Sequence, residues 1–283
     1  MPSFDTPQPI SVTIEVQLGD VQVSAGDRVD TVVVANPSDR SRAQDVEAAE
    51  KTRVEYSDGR LLIKAPKPRG LGNYIGLSRT GSVDVTIELP TDSNVHGEAG
   101  WADFRGNGRL GDIRIKTGAG DIRLDSTRQL HLASGAGSVT VNAAAGHTEL
   151  TTAGEMRIGE IDGDAEIKNL NGKTWLGEVT GALRVKSANG DISVDRALAE
   201  VVAKTANGNI QIGEVVSGSV ELATASGELE IGIRDGTAAW VDAKTQFGRV
   251  HNDLGSTDAP EASQETVQIQ ARTSFGNIVI HRS

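Results

Sequence analysis

Ser187-Ala188-Asn189-Gly190-Asp191-Ile192-Ser193-Val194 is followed, eighteen residues on, by Thr205-Ala206-Asn207-Gly208-Asn209-Ile210-Gln211-Ile212. Each stretch is a small polar run, a glycine, and then an alternating apolar pair. The same phrase stands earlier as Thr117-Gly118-Ala119-Gly120-Asp121-Ile122-Arg123-Leu124 and Ser134-Gly135-Ala136-Gly137-Ser138-Val139-Thr140-Val141. The key glycines are Gly120, Gly137, Gly154, Gly172, Gly190, Gly208, Gly227, Gly248 and Gly276, spaced 17, 17, 18, 18, 18, 19, 21 and 28 residues apart. A fixed period of this length marks a repeat architecture.

Alternating apolar pairs flank each glycine: Leu183/Val185 and Val220/Leu222 before it, Ile192/Val194 and Leu229/Ile231 after it. Period-2 alternation is the signature of a half-buried strand. A third apolar point, Ile161, Val179 or Val215, follows in Gly-Glu-Ile/Val segments. One repeat therefore has three inward faces and cannot bury them alone, so successive copies must stack. The pattern predicts an all-β fold, a single-stranded parallel β-helix (β-solenoid) of about 17–19 residues per rung. Strand twist and crossover chirality set a right-handed wind as the default. Asn171, Asn189 and Asn207 precede their glycines in three successive rungs, where Asn side chains can bond along the stack. The rung around Gly154 reads one residue short before its turn, which predicts a local bulge.

The N-terminal third alternates without the regular period, over Ser11–Val23, Thr31–Ala35, Thr52–Tyr56, Leu61–Lys64 and Ser82–Leu89. We expect residues 1–96 to form an irregular β-rich N-terminal cap continuous with a solenoid over 97–283. One helix is expected at Ser41–Glu50, with long loops from Pro66 to about Ser78 and over His251–Thr266.

The composition limits the function. Lys+Arg number 28 against 39 Asp+Glu, a net charge of −11, which opposes a nucleic-acid partner. With no cysteine there is no disulfide framework, thiolate metal site or Cys nucleophile. No apolar run reaches the ~20 residues of a membrane span, so no membrane insertion is expected. Met1–Thr6 has neither the basic nor the apolar region of a secretory signal, which predicts a cytoplasmic location.

Gly19-Asp20-Val21, Ser82-Val83-Asp84-Val85 leading into Leu89-Pro90, Glu160–Lys173, Thr205-Ala206-Asn207-Gly208 and Thr273-Ser274-Phe275-Gly276 together give the chain a resemblance to the bacterial putative-adhesin family. That family is an uncharacterised repeat domain with a β-solenoid fold. The resemblance covers essentially the whole chain and implies the fold. It brings no catalytic residues with it.

Several candidate sites remain. A basic column four places before the glycine contains Lys116, Lys168, Lys186, Lys204, Lys244 and Arg272. A second column just after the glycine, with Asp121, Asp191 and Glu228, would neutralise it across the turn. Lys173 and Arg249 interrupt that second column and rule against a calcium ladder. His131 beside Glu149 and Glu166 lacks the spacing of a metal site, and no cofactor is expected. Trp175 points outward by phase, so either a loop covers it or it is a platform for a protein or glycan partner. Trp175, Lys168, Lys186 and Lys204 are the candidate interaction surface. Phe275, Ile278 and Ile280, in the last rung before Ser283, are the candidate self-association edge of a monomer or end-to-end dimer. Phe247 and Phe275 share one turn phase and are expected to stack. The reading reached is a non-catalytic structural or interaction protein. The alternative is a carbohydrate-active enzyme, a polysaccharide lyase or hydrolase, using Arg114, His131, Glu149, Glu166 and Arg184.

Overall fold

The computed structural model describes residues 2–67, 80–255 and 265–283. Most of the first expected loop and the centre of the second lie outside these residues. The described chain is β-structure with one helix, and its contacts divide it into two compact units, Met1–Val141 and Asn142–Ser283.

The first unit holds β1 (Ser3–Asp5), β2 (Ser11–Gly26), β3 (Asp30–Pro37), α1 (Ala43–Glu50), β4 (Arg53–Ser57), β5 (Arg60–Lys64), β6 (Val83–Pro90), β7 (Asn94–Ala119) and β8 (Ile122–Ser134). β9 (Val139–Ala144) begins in this unit. Strand β2 runs parallel to β7 from Ser11↔Asn94 to Ser24↔Asn107, and β7 runs parallel to β8 from Phe104↔Ile122 to Thr117↔Ser134. The chain therefore enters the parallel ladder at Ser11, while β1, β3 and β4 pair antiparallel beside it. The core phenylalanine, Phe104, fits because Gly97 faces it. A Cβ at Gly97 would lie 2.7 Å from the Phe104 ring. Helix α1 begins two residues later than the sequence predicts, because Ser41 is held in a turn by its N–H and hydroxyl bonds to Asp39 Oδ1, at 2.8 and 2.7 Å. The buried Asp45 anchors the helix by accepting the Ser82 N–H at 3.0 Å.

The second unit is the regular solenoid. One face stacks β10 (Thr148–Thr152), β12 (Ala165–Asn171), β14 (Leu183–Asn189), β16 (Val201–Asn207) and β18 (Gly218–Ser226) in parallel. A second face stacks β11 (Met156–Ile161), β13 (Thr174–Val179), β15 (Ile192–Ala197), β17 (Ile210–Val215) and β19 (Leu229–Ile233). The register places like on like. Leu150, Ile167, Val185, Ala203 and Leu222 form one column, Ile158, Leu176, Val194, Ile212 and Ile231 another, and Ile161, Val179, Ala197, Val215 and Ile233 the third. All are buried. Each larger member of these columns contributes about 1.5–3 kcal/mol of apolar burial, so the columns hold the rungs together. Strand β10 keeps continuous register with β12, and a register break falls instead between Ile212 and Val215. The short turn before Gly154 is filled by the buried Asn169, whose Nδ2 donates to Gly154 O at 3.0 Å, Gly172 O at 3.2 Å and Thr174 Oγ1 at 3.1 Å.

Chain order and spatial order part company at the C-terminal end. The last four strands are β20 (Ala238–Phe247), β21 (Val250–Asn252), β22 (Thr266–Phe275) and β23 (Ile278–Arg282). Strand β22 pairs with β18 on one side and β20 on the other, and β23 lies likewise between β19 and β21. The final rung in sequence is thus inserted beneath the one that precedes it. A side-chain ladder follows the same order. Thr224 bonds Gly208 O, Thr273 bonds Gly227 O, and Thr245 bonds Gly276 O, at 2.9–3.0 Å.

Candidate functional site

The turn that carries the repeat is built by hydrogen bonds between rungs. In the central rungs the glycine adopts a backbone conformation that side chains rarely reach: φ is +133° at Gly190 and +147° at Gly208. A Cβ on Gly208 would lie 2.2 Å from Gly190 O. Asn189 Nδ2 donates to Asn171 Oδ1, and Asn207 Nδ2 to Asn189 Oδ1, both at 3.0 Å. Where the residue after the turn is Asp or Asn, it has a role that charge reasoning missed. Asp103 accepts the Asp121 N–H at 2.8 Å, Asp121 the Ser138 N–H at 2.9 Å, Asp191 the Asn209 N–H at 2.9 Å, and Asn209 the Glu228 N–H at 2.8 Å. The Gly-Asp/Asn step is therefore a backbone clamp. The Ser138 N–H, with help from its hydroxyl and Arg123, holds the Asp121 carboxyl below the ordinary carboxylate range. The recurrence of Asp or Asn, which share an acceptor oxygen but not a charge, was the available signal.

Lys168, Lys204, Lys244 and Arg272 of the basic column are paired with acids along and between strands rather than across the turn. Lys168 Nζ lies 2.8 Å from Glu166, and Lys204 Nζ 2.6 Å from Glu221. Lys186 sits in register between Lys168 and Lys204. Lys168, with smaller contributions from Lys186 and Arg184, lowers the pKa of Glu166. A carboxyl held ionised in this way is a poor proton donor. Glu149, Glu166 and Arg184 do share one row, and Arg114 and His131 are opposite each other in the first unit. Among the described residues no group of three or more His, Asp or Glu side chains is placed to hold a metal ion.

Trp175 lies between Arg157 and Ser193 in its row. The Arg157 guanidinium sits 4.0 Å from the centre of the indole ring, and the indole N–H donates to Asp195 Oδ1 at 3.0 Å. Among the described residues its cover is a neighbouring rung's arginine, and Trp175 is half-buried.

The proposed edge residues are placed differently from the sequence reading. Ile278 and Ile280 face inward and are fully buried, and β23 has a strand on each side, so it is not an edge. Phe275 is exposed and its ring stacks on that of Phe247. The outer rung is β20–β21, and there Trp240 is 78% exposed, Phe247 65% and Val250 44%. Of the seven large hydrophobic side chains exposed among the described residues, four (Trp240, Phe247, Val250 and Phe275) belong to this end of the second unit.

A family model described as Toastrack DUF4097 matches residues 10–281. The chain belongs to the Toastrack family. The adhesin-type resemblance read from the sequence holds at this level, as does the solenoid fold. The Toastrack chain is also similar to three crystal structures. One is a "putative cell adhesion protein" of Clostridium sporogenes ATCC 15579, at 10% identity, covering 100% of this chain and 98% of that one, with a TM-score of 0.24. The second is a "putative adhesin" of Bacteroides fragilis NCTC 9343, at 12% identity, covering 99% and 95%, with a TM-score of 0.33. The third is a "putative adhesin" of Parabacteroides distasonis ATCC 8503, at 11% identity, covering 100% and 95%, with a TM-score of 0.33. No curated protein matches the Toastrack chain.

Proposed function

We propose that this Toastrack chain is a non-catalytic structural and interaction protein that engages its partner through the C-terminal end of the solenoid. One observation carries this reading: the exposed apolar side chains gather on the outermost rung and the strand beneath it, at Trp240, Phe247, Val250 and Phe275. The lateral rows offer less. There Lys168 and Lys204 are neutralised by Glu166 and Glu221, and Trp175 is occupied by Arg157 and Asp195. Apolar aromatic side chains beside a sheet edge suit a protein partner, since they supply contact area next to backbone donors and acceptors.

Photo-crosslinking residues introduced one at a time at Trp240 and at Lys186, in cells that make the protein, test the reading. A discrete adduct from position 240 and none from position 186 is the expected result. Loss of any adduct at 240, together with polysaccharide cleavage that disappears in the Glu166→Gln variant, would overturn it in favour of the enzyme.

A further inference from the structure

We propose that the outer edge of β20 is a docking strand for a second copy of this chain, paired antiparallel about a two-fold axis at Ala243. This rests on the interaction reading above and names its partner.

The geometry of β20 sets the register. Its pairing is with β22 on one side, and among the described residues no strand pairs on the other. The Ala238 N–H donates to Glu265 O, on the β22 side, at 2.9 Å. Backbone groups alternate sides along a strand, so those of Ala239, Val241, Ala243 and Thr245 face the open edge. Those four residues also continue the inward columns of Val267, Ile269, Ala271 and Thr273. The β22 residues are at most 5% exposed, whereas their β20 equivalents are half-buried. The unpaired edge and the uncovered end of the core therefore coincide. One added strand would satisfy both.

The side chains select which strand. Unprotected edges pair indiscriminately, and proteins guard them with charges, most often lysine. Strand β20 carries Asp242 and Lys244 at its centre, on the outer face. In an antiparallel pair of identical strands, edge-facing residues must oppose edge-facing residues, so the two-fold axis falls at an edge-facing residue or at an outer-face residue between two of them, and an axis at Asp242 or at Lys244 sets like charge against like. An axis at Val241 sets Asp242 against Trp240, and an axis at Thr245 sets Lys244 against Gln246. Only an axis at Ala243 sets each Asp242 against the Lys244 of the other copy, in the close, non-hydrogen-bonded position where cross-strand pairs interact most strongly. The same register places Val241 opposite Thr245. Lys244 is free to make this exchange: its side chain is 71% exposed and lies 3.4 Å from its own Asp242, which Arg272 also holds. A foreign strand meets one acid and one base two residues apart, whereas a second copy meets its own complement.

Sedimentation of the full chain over a concentration series, with Lys244→Asp and Ala243→Pro as variants, tests the proposal. Lys244→Asp places two acids opposite two acids. Ala243→Pro removes an edge-facing N–H and leaves the β22 ladder intact. The expected result is a concentration-dependent dimer. It should weaken about tenfold or more in Lys244→Asp, as two attractive cross-strand pairs become repulsive, and be lost in folded Ala243→Pro. A monomer at every concentration, an open-ended polymer, or a dimer unchanged in folded Lys244→Asp each overturns it. The crosslink at position 240 separates the two readings. An adduct at a mass other than the dimer's rejects the second copy and keeps the interaction role, while no adduct rejects both.

Discussion

The rings of Phe247 and Phe275 stack with centroids 4.9 Å apart and planes only 7° from parallel, and Phe275, later in the chain, belongs to the strand beneath. The pair ties the outermost rung to the one inserted under it. A double-mutant cycle of Phe247→Ala and Phe275→Ala, read by denaturant midpoints, should give a coupling energy of about 0.5–1.5 kcal/mol. Strictly additive single effects would mean the stack carries no stability.

Asn169 holds its turn by hydrogen bonds. Its side-chain amide serves Gly154 O, Gly172 O and Thr174 Oγ1 from a site only 2% exposed. Asn169→Ala leaves buried acceptors without their donor, and the expected loss is about 1–3 kcal/mol in chemical unfolding. Asn169→Asp, which swaps the donor for a charge among carbonyls, should lose more. An Asp variant as stable as wild type contradicts this account of the turn.

The backbone clamp of Asp121 predicts a pH signature. Its folded pKa is lowered, chiefly by the Ser138 N–H, so its contribution is complete above the unfolded value of 3.8 and is lost as pH falls through the lower folded value. Asp121→Asn keeps the acceptor oxygen and should remove that segment of acid sensitivity, with little change at neutral pH. Asp121→Ala should cost about 0.5–1.5 kcal/mol at pH 7. Unfolding midpoints between pH 2.5 and 7 separate the three proteins. Asn and Ala variants of equal stability at pH 7 would argue against the clamp.

Trp175 and Trp240 should differ in acrylamide quenching. In single-tryptophan variants, Trp240, 78% exposed, is expected to quench strongly, and Trp175, under Arg157, weakly. Adding Arg157→Ala should raise quenching at Trp175 and leave Trp240 unchanged. Strong quenching of Trp175 with Arg157 in place would show that the guanidinium does not shield the ring.

The sequence by itself determined the solenoid, because a rung's inward pattern is local. Leu183/Val185 and Ile192/Val194 are fixed by alternation around Gly190, and no distant residue is needed to read them. The Asn171–Asn189–Asn207 stack was legible for the same reason, since equal spacing makes equal positions neighbours. The role of Asp121 was partly hidden. Its charge suggested a partner of opposite sign, whereas its bond is to an uncharged N–H that no residue type announces. What only the tertiary structure decided is the order of the last rungs. Every rung presents nearly the same apolar columns, so β18 can accept β22 as readily as β20, and periodicity cannot distinguish them. The choice needs a connection long enough to reach back beneath β20, and the 28-residue gap between Gly248 and Gly276 supplied the length without naming the path. For that reason Ile278 and Ile280, last in the chain, lie inside the sheet, and the open edge belongs to Val241 and Ala243.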